Sequence, residues 1–260
     1  MKICRYKLNN QIAYGLIEAE TIRPLLGFPN PTDLQDQVIR NKTLKLSEVK
    51  MLLPTNPSKI VCVGRNYAEH AKELGNEVPQ EPLLFLKAPS AMIGNGGTIL
   101  IPKQSAQVEH EGELGIVIGK TCKNLSDTDN PLDFVLGYIC LNDVTARDLQ
   151  RQDVQFTRSK SFDTFCPISN VIETGLDLKD IRVTTKVNGV IKQDGRTSQM
   201  VFPVPFLIRY ISNQMTLNRG DIIATGTPAG VSKLNAGDVC EVEIEGLDSL
   251  RNTIINTEKL

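Results

Sequence analysis

His110-Glu111-Gly112-Glu113-Leu114-Gly115-Ile116-Val117-Ile118-Gly119 is the stretch on which the fold of this chain turns. Branched apolar residues crowd its end and a polar turn follows at residues 120–124, so it reads as a β-strand. Side chains alternate across a strand, which puts Glu111 and Glu113 on one face. Two like charges on one face repel, and burying them is unfavourable without a counter-charge. A solvated edge carrying two surface acids is one resolution. A bound divalent cation is the other: a hard ion such as Mg²⁺ takes carboxylate oxygens and keeps positions open for water or substrate. The pair alone does not choose between them.

The 260 residues suffice for one large domain, or a large one with a small one, and 40% hydrophobic content fills a sizeable core. A net charge of −1 excludes electrostatic capture of nucleic acid or of an anionic membrane. Trp is absent and aromatics are few, which removes a base-stacking platform. No apolar run approaches a membrane span, and the first residues lack a signal-peptide core, so a cytoplasmic protein is expected. The six cysteines form no C-x-x-C and mostly sit in apolar runs such as Ile60-Val61-Cys62-Val63. They read as small core residues in a reducing compartment, with Cys166 the one weighed, and set aside, as a nucleophile.

Asn9-Asn10 between two strand-like runs reads as a hairpin turn, and residues 33–40 as a short helix capped by Thr32. Leu53-Pro54-Thr55-Asn56-Pro57-Ser58 is a stiff linker and the best boundary, giving a small N-terminal domain over residues 1–55 and a larger one over 56–260. A buried strand ends at Gly64. A short helix over residues 66–74 follows, with Asn66 as its cap and Gly75 as its stop, and His70 and Glu73 share one face of it. Residues 83–87 are a strand ending in Lys87, and residues 134–141 another, which delivers Asp143, Arg147 and Gln150 on one helical face. Residues 159–164 read as a polar loop. Asn188-Gly189 is the clearest hairpin signal, residues 203–215 are an amphipathic helix, and Gly237-Asp238 turns into a last strand. A strand-rich second half with few helices points to an α+β, mainly β chain, rolled and largely antiparallel.

Taken in order from Val61 to Gly230, the pieces resemble the fumarylacetoacetate hydrolase family. The resemblance is carried by Val61-Cys62-Val63-Gly64-Arg65-Asn66-Tyr67, His70-x-x-Glu73, Leu84-Phe85-Leu86-Lys87, Glu111-Gly112-Glu113-Leu114, Asp143-Val144-Thr145-Ala146-Arg147-Asp148-Leu149-Gln150, Lys160-Ser161-Phe162-Asp163-Thr164 and Thr225-Gly226-Thr227-Pro228-Ala229-Gly230. Each is weak alone and specific in this order. The resemblance implies a β-sandwich-roll catalytic domain, a small N-terminal domain and a homodimer. It also implies a metal site of Glu111, Glu113 and Asp143 for Mg²⁺ or Mn²⁺, with Ca²⁺ as a non-native occupant.

The same resemblance implies a small 2-oxo acid substrate, chelated through its carboxylate and keto oxygens, with the metal stabilising the enolate left by C–C cleavage. His70 would take a proton from water, Glu73 would orient or share it, and Lys160 would stabilise charge or protonate the leaving enolate. Arg65, Lys87, Arg147, Gln150 and Thr227 match positions that line the family's pocket. Two of these have plainer readings: Lys87 as an exposed strand end, and Arg147 as an ion-pair partner of Asp143 or Asp148. The leading expectation is metal-dependent hydrolysis of an acylpyruvate. The alternative uses the same site without water attack, as an oxaloacetate decarboxylase or tautomerase or a 2-hydroxyhepta-2,4-diene-1,7-dioate isomerase. A non-enzymatic metal-binding protein is the reading from another class.

Overall fold

A computed structural model describes residues 1–257. The strand Gly112–Ile118 is buried along its whole length at the middle of the larger sheet. It pairs antiparallel with Val135–Asn142 on one side and Ile222–Ala224 on the other. Beyond Ile222–Ala224 the sheet continues through Ile60–Gly64, its parallel neighbour, to the edge strand Leu83–Lys87. Beyond Val135–Asn142 it continues through Ile172–Glu173 to Lys2–Leu8, Gln11–Glu18 and Thr21–Pro24. The N-terminal strands therefore extend the central sheet, joined to it at Ile3↔Ile172. Among the described residues a second sheet has five strands, ordered Val190–Arg196, Arg182–Val187, Val239–Ile244, Leu250–Asn256 and Thr98–Ile101.

The two faces of Gly112–Ile118 feed two cores. Leu114, Ile116 and Ile118 pack with Val61, Val63 and the helix Val204–Gln214, whereas Val117 faces Ile60, Ile139 and Ile222. Each such side chain contributes about 1.5–3 kcal/mol on burial, which fixes the strand's register. The Val204–Gln214 helix presents Val204, Leu207, Ile208 and Ile211 to this core, and Pro203 stands at its cap, as the spacing predicts. All six cysteines are buried and free. No helix among the described residues is long and apolar enough to cross a membrane.

Both predicted hairpins form. Asn9 and Asn10 take φ 47° and 66°, and Asn188 and Gly189 take 53° and 78°, the left-handed backbone that tight turns demand. Residues 33–40 differ from expectation: they are turns, not a helix. Val38 bridges Leu25, and the Gln37 side chain accepts from Asn30 N–H (2.7 Å) and donates to the Leu26 and Phe28 carbonyls (3.2 and 3.1 Å). These bonds to residues outside the segment override its local helical preference. The chain also carries a strand beyond residue 244, Leu250–Asn256. Its inward face includes Asn252, which donates to the Gly94 and Gly97 carbonyls (3.0 and 2.9 Å), so its alternation is not purely apolar. Part of the expected polar loop at 159–164 is instead the end of a helical turn, Thr157–Lys160.

Candidate active site

Strand ends build the site. Glu111 and Glu113 leave the start of Gly112–Ile118 on one face, and Asp143 follows the end of the neighbouring Val135–Asn142. Their carboxylate oxygens lie within 4.8 Å of one another, and the three side chains are 4%, 2% and 1% exposed. Asp143 is not on the helix with Arg147 and Gln150, as the spacing suggests. That helix begins at Arg147, after the short strand Thr145–Ala146 pairs with Val108–Glu109. The carboxyl reaches the site from the strand end.

Lys160 Nζ bridges two of the acids, donating to Glu111 Oε2 (2.6 Å) and Asp143 Oδ2 (2.7 Å), with the Phe85 ring 5.1 Å away. Lys87 is neither an exposed strand end nor a wall of the cavity. It is 1% exposed and sits behind the acids, with Nζ 2.7 Å from Asp143 Oδ1 and donating to the Val144 carbonyl (3.2 Å). Asp143 Oδ1 makes no aligned hydrogen bond, and its 2.7 Å contact with Lys87 is a close charge pairing. Arg147 does pair with acids, but not with Asp143 or Asp148. Its Nε donates to Glu109 Oε2 (2.8 Å), its Nη2 to Glu111 Oε1 and its Nη1 to Gln150 Oε1 (2.6 Å).

The electrostatics are uneven. Burial opposes the Glu111 charge, but Lys160 and Arg147 outweigh it and hold the carboxyl well below the usual range. Burial likewise opposes charge on Lys160, and Asp143 and Glu111 outweigh it, so the ammonium's pKa is raised. Glu113 has no cation within ion-pairing distance among the described residues; it accepts from Gly226 N–H at Oε2 (2.8 Å). Burial, and then the Asp143 and Glu111 charges, push its carboxyl well above the ordinary value. Four buried carboxyls, Glu109, Glu111, Glu113 and Asp143, face three buried cations, Lys87, Arg147 and Lys160. An all-oxygen set with a carboxyl lacking a counter-charge and an unaligned Asp143 oxygen fits a hard divalent cation.

These groups open on a cavity of about 320 Å³. His70, Arg65, Gln150 and Thr227 line it with Glu111, Glu113, Asp143, Arg147 and Lys160. His70 stands on the helix Ala68–Glu73, its Nδ1 3.1 Å from Glu73 Oε2, while Glu73 Oε1 accepts from Gly230 N–H (3.0 Å). Glu73 reaches the cavity only through His70. Gly75 ends the helical turn with φ 68°, as expected. Asn66 does not cap it. Its side chain instead donates to the Phe202 and Thr225 carbonyls (3.1 and 2.8 Å) and accepts from Phe202 N–H (2.8 Å), tying the segment to the molecule beneath. Thr164, at the end of the Lys160–Thr164 motif, accepts from Leu100 N–H (2.9 Å) in a turn at φ 73°.

Sequence reasoning missed Arg151, Phe85 and Phe156, which also line the cavity, the two rings meeting edge to face at 5.5 Å. It also missed Glu109. The run Glu109-x-Glu111-x-Glu113 keeps the same two-residue phase, and that signal was available.

A family model described as Fumarylacetoacetate (FAA) hydrolase C-terminal matches residues 59–255. This chain belongs to the fumarylacetoacetate hydrolase family. A second model, described as Rv2993c-like, N-terminal, matches residues 1–54. The chain is 50% identical, over 74% of its length and 90% of the relative's, to a Dictyostelium discoideum protein named mitochondrial oxaloacetate decarboxylase. It is 42% identical, over 80% of its length and 74% of the relative's, to the Bacillus subtilis protein named oxaloacetate tautomerase YisK. The crystal structure of 2-hydroxyhepta-2,4-diene-1,7-dioate isomerase from Mycobacterium marinum superposes with a TM-score of 0.85 at 38% identity, covering 99% of both chains. The fold is thus the family's mainly β arrangement, and these relatives carry decarboxylase, tautomerase and isomerase names. These names favour the alternative chemistry over the acylpyruvate hydrolysis that the sequence reading put first.

Proposed function

We propose that this protein is a Mg²⁺- or Mn²⁺-dependent enzyme acting on a small 2-oxo dicarboxylic acid, with oxaloacetate decarboxylation or keto–enol exchange as its reaction. The observation that carries the reading is the Glu111–Glu113–Asp143 triad beside the charged Lys160, at the floor of a cavity that Arg65 and Arg151 also line. A hard divalent cation on that triad would supply Lewis acidity toward a chelating 2-oxo acid. Among the described residues the Arg65 side chain makes no hydrogen bond or ion pair, and it lines the cavity, which leaves its guanidinium for the substrate's second carboxylate. Lys160, kept protonated by its acids, is an acid and not a base. In decarboxylation the C–C bond to the departing carboxylate breaks, carbon dioxide leaves and the electron pair passes into the 2-oxo group. Lys160 would then donate a proton to the enolate left behind. Phe85 and Phe156 exclude water from that step.

Acylpyruvate hydrolysis is the second reading, favoured by the His70–Glu73 contact. An Nδ1–H donated to Glu73 leaves Nε2 as the base for a water. A homodimer is also proposed, supported by the edge strand Leu83–Lys87, which carries Leu83 and Leu86 37% and 45% exposed. The test is a panel of oxaloacetate, acetylpyruvate, fumarylpyruvate and 2-hydroxyhepta-2,4-diene-1,7-dioate on Mn²⁺-loaded protein. The highest kcat/KM is expected for oxaloacetate, and a clear preference for an acylpyruvate would reverse the order of the two readings.

A further inference from the structure

Gln193 lies on Val190–Arg196 in the second sheet, wholly buried and outside the cavity wall. Two backbone groups fix its amide. Gly112 N–H can only donate, so Oε1 faces it (3.0 Å), and the Pro228 carbonyl can only accept, so Nε2 faces that (2.7 Å). The second Nε2 hydrogen goes to Thr227 Oγ1 (2.6 Å), which passes its own to the Gly112 carbonyl (2.9 Å). The second Oε1 lone pair takes His110 Nδ1–H (3.0 Å), which leaves His110 Nε2 to accept from Ser232 Oγ (2.8 Å). Every hydrogen-bonding position of this one side chain is used, and together the bonds link the Glu111–Glu113 strand to the loop at 226–232.

That loop holds both halves of the site. At one end Gly226 N–H donates to Glu113 Oε2 (2.8 Å), and at the other Gly230 N–H donates to Glu73 Oε1 (3.0 Å). Gly230 lies directly against the Gln193 strand: a Cβ there would meet the Lys192 carbonyl at 1.9 Å. We propose that Gln193 is a positioning residue that sets the Glu113 carboxylate and the His70–Glu73 pair together, through the loop at residues 226–230. The proposal rests on the metal-centre reading above.

Gln193→Glu keeps the volume and the acceptor toward Gly112 but removes both donors and places a charged oxygen against the Pro228 carbonyl. Calorimetric Mn²⁺ titration of the folded variant should show affinity weakened by roughly 10–100-fold, the usual effect of losing a group that orients a ligand. In the metal-free variant the amides of residues 226–230 should exchange faster than in the parent. Thr227→Val should weaken Mn²⁺ binding in the same direction, whereas Thr227→Ser, which keeps the hydroxyl, should stay within about threefold of the parent. Should Gln193→Glu not fold, the Thr227 pair decides. Affinity within about threefold of the parent in folded Gln193→Glu, or equal affinities in the two Thr227 variants, overturns the proposal. A parent that binds no Mn²⁺ overturns the metal-centre reading itself, and the proposal with it.

Discussion

Gly112 stands between two acids because nothing larger fits there. A Cβ at that position would meet Thr185 Oγ1 at 2.0 Å, where the two sheets close on each other. Gly112→Ala should therefore lower stability by about 1–3 kcal/mol, the usual effect of overpacking, read as a fall of several degrees in Tm. An unchanged Tm would mean that the strand start yields. His70 separates the two chemistries. Suppose the enzyme turns over both oxaloacetate and an acylpyruvate. His70→Ala should then reduce kcat for hydrolysis by roughly 10²–10⁴-fold and decarboxylation much less, since carbon dioxide departs without a nucleophile. Equal losses would assign His70 to a step common to both. Glu111 and Glu113 were legible because a two-residue period is a direct consequence of the strand pleat, and Glu109 shares that phase. Asp143 was singled out at its strand end, but its place beside Glu111 and Glu113, like the role of Lys160, entered only through the resemblance, because their convergence comes from tertiary structure. Gln193 gave no signal at all: its hydrogen bond to Gly112 spans 81 residues of chain.

At the scale of elements, the hairpins and the long amphipathic helix follow from turn chemistry and periodicity, while side chains bonded elsewhere removed the short helix expected at 33–40 and shifted the start of the one expected at 66–74. Asn66 is the instructive case. A good capping residue is spent on three bonds to distant backbone, and the helix Ala68–Glu73 starts without it. Residues 64–75 are thus anchored at Asn66, and among the described residues the Glu73 side chain is tied beyond the segment by Gly230. A metal-bound oxalate should slow hydrogen exchange across them, whereas identical exchange with and without it would rule out closure of this segment over the site. Asp148, in the first turn of Arg147–Gln152, ties that helix to residues 105–106. Burial opposes its charge, but donation from Ser105 Oγ (2.6 Å), Ala106 N–H (2.8 Å) and Leu149 N–H (3.0 Å) outweighs it and lowers its pKa. A depressed carboxyl stabilises the fold above its unfolded pKa of about 3.9 and loses that contribution as pH falls through the folded value. The Tm difference between the parent and Asp148→Asn should accordingly be full at pH 7 and shrink below about pH 4. A difference constant over that range would show that the charge is not what matters.

The whole molecule gathers its functional groups where two sheets meet. One sheet supplies the acids from adjacent strand ends, the other closes behind them through Thr185 and Gln193, and short helical turns bring Arg147, Lys160 and His70 over the top. If the Leu83–Lys87 edge is covered by a second copy, sedimentation equilibrium should give twice the chain mass, and Leu86→Lys should shift it toward the monomer; a parent already monomeric would leave that edge to another role. The account stands or falls on the triad acting through a divalent cation. The direct measurement is oxaloacetate turnover by Mn²⁺-loaded parent, by parent stripped with a chelator and by Asp143→Asn assayed with Mn²⁺. Turnover in the first, reduced by roughly 10²-fold or more in the other two and restored to the stripped parent by added Mn²⁺, is the predicted result. Undiminished turnover after stripping, or in Asp143→Asn, would contradict it.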